Sequence, residues 1–181
     1  MILESRKYKL FINTHLNLLH FISNEYKINE TNISLREFKN LNFSQKMLCR
    51  NKLIENLDII DHYLNFKKEG LTSQERTILL GFKKCISGKF IILKILKNHA
   101  IMINTDSNNV YGVLALKDKF DDFFKTFPVL VDLTILPFEN KLIYDGFINS
   151  YNVTFGSSIK QEINMVYRKA KLKNMIITSI P

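Results

Sequence analysis

Residues 78–96, ILLGFKKCISGKFIILKIL, hold the change of rhythm that decides the fold. Up to Phe82 the apolar residues fall three and four apart: Ile78, Leu79, Phe82 and then Ile86 share one face of a helix. Thr72 and Glu75 stand at capping-box spacing before that run, so the helix opens there, and Ser87-Gly88 read as its stop. From Lys89 the spacing is lost. Phe90-Ile91-Ile92-Leu93 and Ile95-Leu96 are β-branched or aromatic runs that suit a pleated strand.

Outward to the N-terminus the pattern stays helical. Residues 7–24 repeat apolar side chains at Leu10, Phe11, Leu18, Leu19 and Phe21, which predicts a first helix. Ser34 and Glu37 form a second capping-box pair opening a short turn with Leu35 and Phe38. Ser44 is the expected cap of one long helix whose stripe runs Met47, Leu48, Leu53, Ile54, Leu57, Ile60 and Leu64. Lys67, Lys68 and Gly70 mark its end.

Outward to the C-terminus the strands continue. Ala100–Ile103 and Val110–Leu114 follow Phe90–Leu96 at hairpin spacing, separated by Asn98-His99 and Asp106-Ser107-Asn108-Asn109. Residues 117–126 carry Phe120, Phe123 and Phe124 on one side and Asp118, Asp121 and Asp122 on the other, a helix that Pro128 stops. Val129–Leu136 and Lys141–Ile148 are two further strands joined through Pro137–Asn140, and 153–155 extend the second. An amphipathic helix over 157–173 turns Ile159, Ile163, Val166, Tyr167 and Ala170 inward, and Met175–Ile180 is a last short strand. The expected fold is α+β in a single domain, 1–181: a helical part over 1–87 packed with a mostly antiparallel sheet of five or six strands and one long C-terminal helix over 88–181.

Composition supports a folded chain. Of 181 residues 46% are hydrophobic and 24% charged, enough apolar matter for a core. Richness in Lys, Asn and Ile points to an AT-rich genome. The two cysteines, Cys49 and Cys85, both fall in helical patterns with no His or second Cys at ligand spacing, so they read as small thiols in a reducing compartment. No signal-peptide order or apolar run of membrane-crossing length occurs, and the expected location is the cytoplasm. The net charge is +9. Residues 1–100 hold 17 Lys and Arg against 9 acids, and residues 101–181 hold 9 against 8. Such a chain attracts an acidic partner, nucleic acid or a nucleoprotein complex, and the imbalance places that face on the helical part.

Three segments carry a resemblance. Leu136-Pro137-Phe138-Glu139-Asn140-Lys141-Leu142-Ile143-Tyr144-Asp145-Gly146, then Tyr151–Gly156, then Ile176-Ile177-Thr178-Ser179 resemble a group of uncharacterised proteins of low-GC bacteria and their mobile elements. That group shows a "PF…IIYDG" segment, a following "FG", a helix and a closing "IITSL". The likeness spans roughly residues 75–180, with Leu142 in place of Ile and Ile180 in place of Leu. It implies a discrete bacterial module and brings no activity or site residues.

No catalytic, cofactor or metal set is expected. Asp132 with Glu139 and Lys141, and with Asp145 as a further candidate, has the residue types of a metal-dependent nuclease, in which two carboxylates hold Mg²⁺ and a lysine activates water. Turn chemistry at Glu139-Asn140 explains the same residues. Tyr144-Asp145-Gly146 reads as a bulge in which Asp145 accepts backbone N–H bonds and Gly146 supplies the turn. His15, His20, His62 and His99 lie outside metal-ligand spacing and read as surface or half-buried. The basic run Arg168, Lys169, Lys171 and Lys173, with Tyr167 and with Arg6, Lys7, Lys83, Lys84 and Lys89, is the candidate phosphate-binding set. The functional expectation is a non-enzymatic basic binding protein of a bacterium or its mobile element, such as a phage or plasmid inhibitor of host defence. The alternatives are the nuclease and a structural or oligomerisation module.

Overall fold

Reciprocal capping boxes start several helices of the computed structural model, which describes residues 2–29 and 31–180. After α1 (Ser5–Glu25), Ser34 and Glu37 cap α2 (Leu35–Asn40), each side chain answering the other's backbone N–H. Asn42 and Gln45 do the same for α3 (Phe43–Glu55). The cap is therefore Asn42 and not Ser44. The long helix expected over 44–64 is also broken, with α4 (Ile59–Phe66) beginning afresh. Asn56 causes the break: its backbone is extended, and its side-chain oxygen accepts from the Asp58 N–H at 3.1 Å, which competes with the helical ladder. Thr72 and Glu75 cap α5 (Ser73–Phe82) as the spacing predicts.

The chain divides into two compact units. One is Arg6–Lys83; the other takes the remaining described residues. The division falls at 83/84, a few residues before the expected 87/88, and the extreme N-terminal residues go with the sheet. Within the helical unit the core is built from Phe11, Leu18, Leu19 and Ile22 of α1 with Phe38, Leu53, Ile60, Leu79 and Phe82, all fully buried. His15 is buried there too, its ring 5.8 Å from that of Phe11 and 4.6 Å from that of Phe82, so the expectation of a surface or half-exposed imidazole fails at this position.

The second unit is a closed barrel. Its elements are β1 (Ile86–Ile95), β2 (Ala100–Asn104), β3 (Val110–Leu114), α6 (Phe120–Phe123), β4 (Val129–Phe138), β5 (Lys141–Ser150) and α7 (Ser157–Leu172). The strands close in the order β1-β2-β3-β5-β4, all neighbours antiparallel except β3 and β5. The architecture is thus α+β with five strands and a long C-terminal helix, as expected. Several local readings differ. Ser87 and Gly88 lie inside β1, opposite Thr134 and Leu133, and Cys85 sits before the strand rather than in a helix. The helix expected over 117–126 shrinks to four residues, Pro137 and Phe138 belong to β4, and 153–155 form no strand. The final strand reduces to a bridge from Ile177 to Tyr111. That bridge has a purpose: β3 meets β5 over only Val113 and Leu114, and Ile177 satisfies the open edge by hydrogen bonds with Val110 and Gly112.

Every residue of β2 and β3 is buried. Alternation sends successive side chains to opposite faces, so both faces are covered. Inward go Met102, Tyr111 and Val113, with Phe90 of β1, whose ring lies 6.0 Å from that of Tyr111. Outward go Ile101, Ile103 and Val110, which pack in one cluster with Leu93 and with Ile163 and Tyr167 of α7. The helix therefore lies across the outer face of β1–β3. Ile159 does not share in this, being 49% exposed.

Candidate functional site

Charge divides evenly between the units. Arg6–Lys83 carries thirteen Lys and Arg against eight Asp and Glu, and the rest of the chain thirteen against nine. The apparent excess in residues 1–100 arises because Lys84, Lys89, Lys94 and Lys97 precede residue 100 yet belong to the barrel. The basic face is therefore not a property of the helical part alone.

On the barrel, the cations cluster along α7. Lys160, Asn164, Arg168 and Lys171 follow one another at helical intervals and so form a single stripe, flanked by Tyr167 on the side that dips toward the sheet. All three cations are exposed. Lys169 stands on another flank, the side that also carries Glu162, the only acid of the helix, and Lys173 caps the C-terminus, its N–H donating to the Lys169 carbonyl. Basic residues in the last turn also complement the negative end of the helix dipole.

Lys94 joins this stripe through a strand irregularity. Ile92 pairs with Met102 but Lys94 pairs with Ile101, so Leu93 is an extra residue in β1. The bulge resets the alternation, and Lys94 emerges on the outer face beside Ile101 instead of pointing into the barrel. There its ammonium lies 3.9 Å from the centroid of the Tyr167 ring, inside cation–π range. Tyr167 itself is 6% exposed. It is a prop for Lys94, and burial denies it the role of an open stacking surface.

The remaining candidate cations are dispersed. Lys89 projects from β1 opposite Asp132, with its ammonium 5.4 Å from the Tyr151 ring centroid. Lys84 is exposed just before that strand. Arg6, Lys7 and Lys83 belong to the helical unit, where Lys83 is paired with Asp61 at 2.7 Å. The sequence reading thus found Arg168 and Lys171 of the stripe, and missed Lys94, Lys160 and Asn164. The Lys160–Asn164–Arg168 spacing was there to be read, whereas the bulge that turns Lys94 outward has no local signal.

The acidic candidates separate. Asp132 lies mid-strand in β4 while Glu139 occupies the turn, seven residues on, which at strand rise is about 20 Å. One metal ion cannot span that distance. Among the described residues no group of three His, Cys, Asp or Glu side chains is placed to hold a metal. Asp145 is fully buried and accepts from the Phe147 N–H at 3.0 Å, where β5 gains extra residues against Thr134 and Gly146 takes a φ of +95°. The bulge read from Tyr144-Asp145-Gly146 is present.

Among the described residues no helix is long and apolar enough to cross a membrane. Comparison with family models, with curated proteins and with solved structures gave no match.

Proposed function

We propose that this chain binds nucleic acid, single-stranded in preference, through the outer face of α7. The observation that carries the reading is the stripe Lys160, Asn164, Arg168 and Lys171, continued by Lys94, which lays cations and an amide in a row with no acid between them. Phosphates spaced along a strand are met by such a row, with each neutralised phosphate releasing a condensed counterion. Topology supports the same class of ligand by analogy: five strands closed in the order 1-2-3-5-4 with a parallel 3–5 contact is the connectivity of oligonucleotide- and oligosaccharide-binding barrels. In those barrels the outer face around strands 2 and 3 takes the ligand; here α7 covers it and offers its own cations instead. Fold analogy alone assigns no function, so the weight rests on the stripe.

Fluorescence anisotropy with a labelled single-stranded oligonucleotide tests the reading. Log affinity is expected to fall linearly with log salt, and replacing Lys160, Arg168 and Lys171 together by Ala should make that slope shallower by about 2. Binding that is absent at low salt, or a slope the triple variant leaves unchanged, would remove the proposal.

A further inference from the structure

The helical unit has a site of a different kind. A groove of about 540 Å³ opens between α1, the loop before α2, and α4. Its floor is aromatic, with the Phe21 ring centroid 5.2 Å from that of Tyr63 and 5.3 Å from that of Phe66. Phe66 is 68% exposed, an open ring at the mouth, and the Lys67 ammonium sits 5.4 Å from its centroid. Burial pushes the Tyr63 phenol up to about 12, so that wall is uncharged at neutral pH.

The polar lining includes the Glu25 carboxylate and two further sets of side chains. His20 and Asn24 are committed to the chain: His20 Nε2 lies 2.6 Å from the Ile33 carbonyl oxygen, and Asn24 donates to that oxygen and accepts from the Ile33 N–H. They pin the loop that forms one wall. Asn17 and Asn32 line the same groove, and their side chains hydrogen-bond to no other described residue. A floor of tilted aromatic rings, two amides without a described side-chain partner, one cation and one carboxylate therefore line one groove.

We infer that this groove captures a nucleobase, stacked on the exposed Phe66 ring, edge toward the amides, with its phosphate beside Lys67. Each amide offers a donor and an acceptor, the complement of a heterocycle's edge, which an aliphatic ligand would leave unused. The volume lies in the range of small-molecule sites, and base–aromatic stacking is the usual source of affinity for an unpaired base. The base belongs either to a free nucleotide or to a single strand. The inference stands on the helical unit alone and does not require the α7 reading.

The test uses the full chain with two fluorescent probes, 2-aminopurine riboside monophosphate and a single-stranded oligonucleotide holding one 2-aminopurine. Saturable quenching is expected, weakened about tenfold by Phe66→Ala, whose exposed position spares the fold. Asn17→Ala, which keeps the aromatic floor, should weaken it about fivefold. Tighter binding of the oligonucleotide assigns the base to a strand, and equal or tighter binding of the monophosphate assigns it to a free nucleotide; both uphold a base site. Quenching of the monophosphate should persist when Lys160, Arg168 and Lys171 are all Ala, which separates this site from α7. Absence of saturable quenching with both probes, indifference to Phe66→Ala and Asn17→Ala, or loss in the α7 triple variant would overturn the inference.

Discussion

At Gly146 the backbone takes a φ of +95°, a region that side-chain-bearing residues avoid, and beside it Asp145 buries a carboxylate that accepts the Phe147 N–H. The pair re-aims β5 against Thr134. Gly146→Ala should cost about 1–3 kcal/mol in denaturant unfolding, with the barrel retained. This bulge was legible because Asp followed by Gly inside an apolar run is a local signal. His99 is half-buried as read, but its contact was not legible: its ring packs where a Cβ on Gly112 of β3 would come within 2.8 Å. Burial pushes its imidazole pKa below the ordinary 6.5. The unfolded chain therefore takes up a proton near pH 6.5 that the folded chain resists, so His99 contributes fully above that pH and loses its contribution as pH falls toward the folded value. Chemical unfolding of wild type and His99→Gln across this window should show the wild type losing stability with acid and the variant losing less.

Helix starts were read where both partners of a capping box are conventional, at Ser34/Glu37 and Thr72/Glu75. Thr72→Ala should cost about 1 kcal/mol, read by thermal or urea unfolding, because the N-terminal N–H groups of α5 lose their acceptor. The break between α3 and α4 escaped the sequence for a physical reason. The apolar period runs on through Leu57 and Ile60, whereas the interruption comes from one Asn side chain turning back on its own backbone. Apart from the start of β1, which lies at Ile86 and not Phe90, strand limits were near the mark, since β-branched runs and turn residues are local. Among the misplaced pieces, residues 117–126 and 175–180 have a structure set by what they pack against, Ile177 filling an edge of β3 that sequence cannot locate.

At the scale of the whole chain, the α+β class was legible and the closed barrel was not. Closure joins β1 to β4 and β3 to β5, pairings made across tens of residues that hydrophobic rhythm does not encode. The same long-range packing decides which cations share a face. Lys94 and Tyr167 are brought together only by the bulge in β1 and by α7 lying over the sheet. It also explains why Tyr167, aromatic and set among cations, serves packing rather than stacking.

Amide chemical-shift mapping of the full chain with an unlabelled single-stranded oligonucleotide tests most directly whether α7 is the ligand-facing surface. The expected shifts concentrate at Lys94, Lys160, Asn164, Arg168 and Lys171, while Ile101, Ile103 and Val110 hold their positions beneath an intact helix. Shifts at Ile101, Ile103 and Val110 with loss of helical signals from α7 would contradict it, because the ligand would then be displacing the helix to reach the strands.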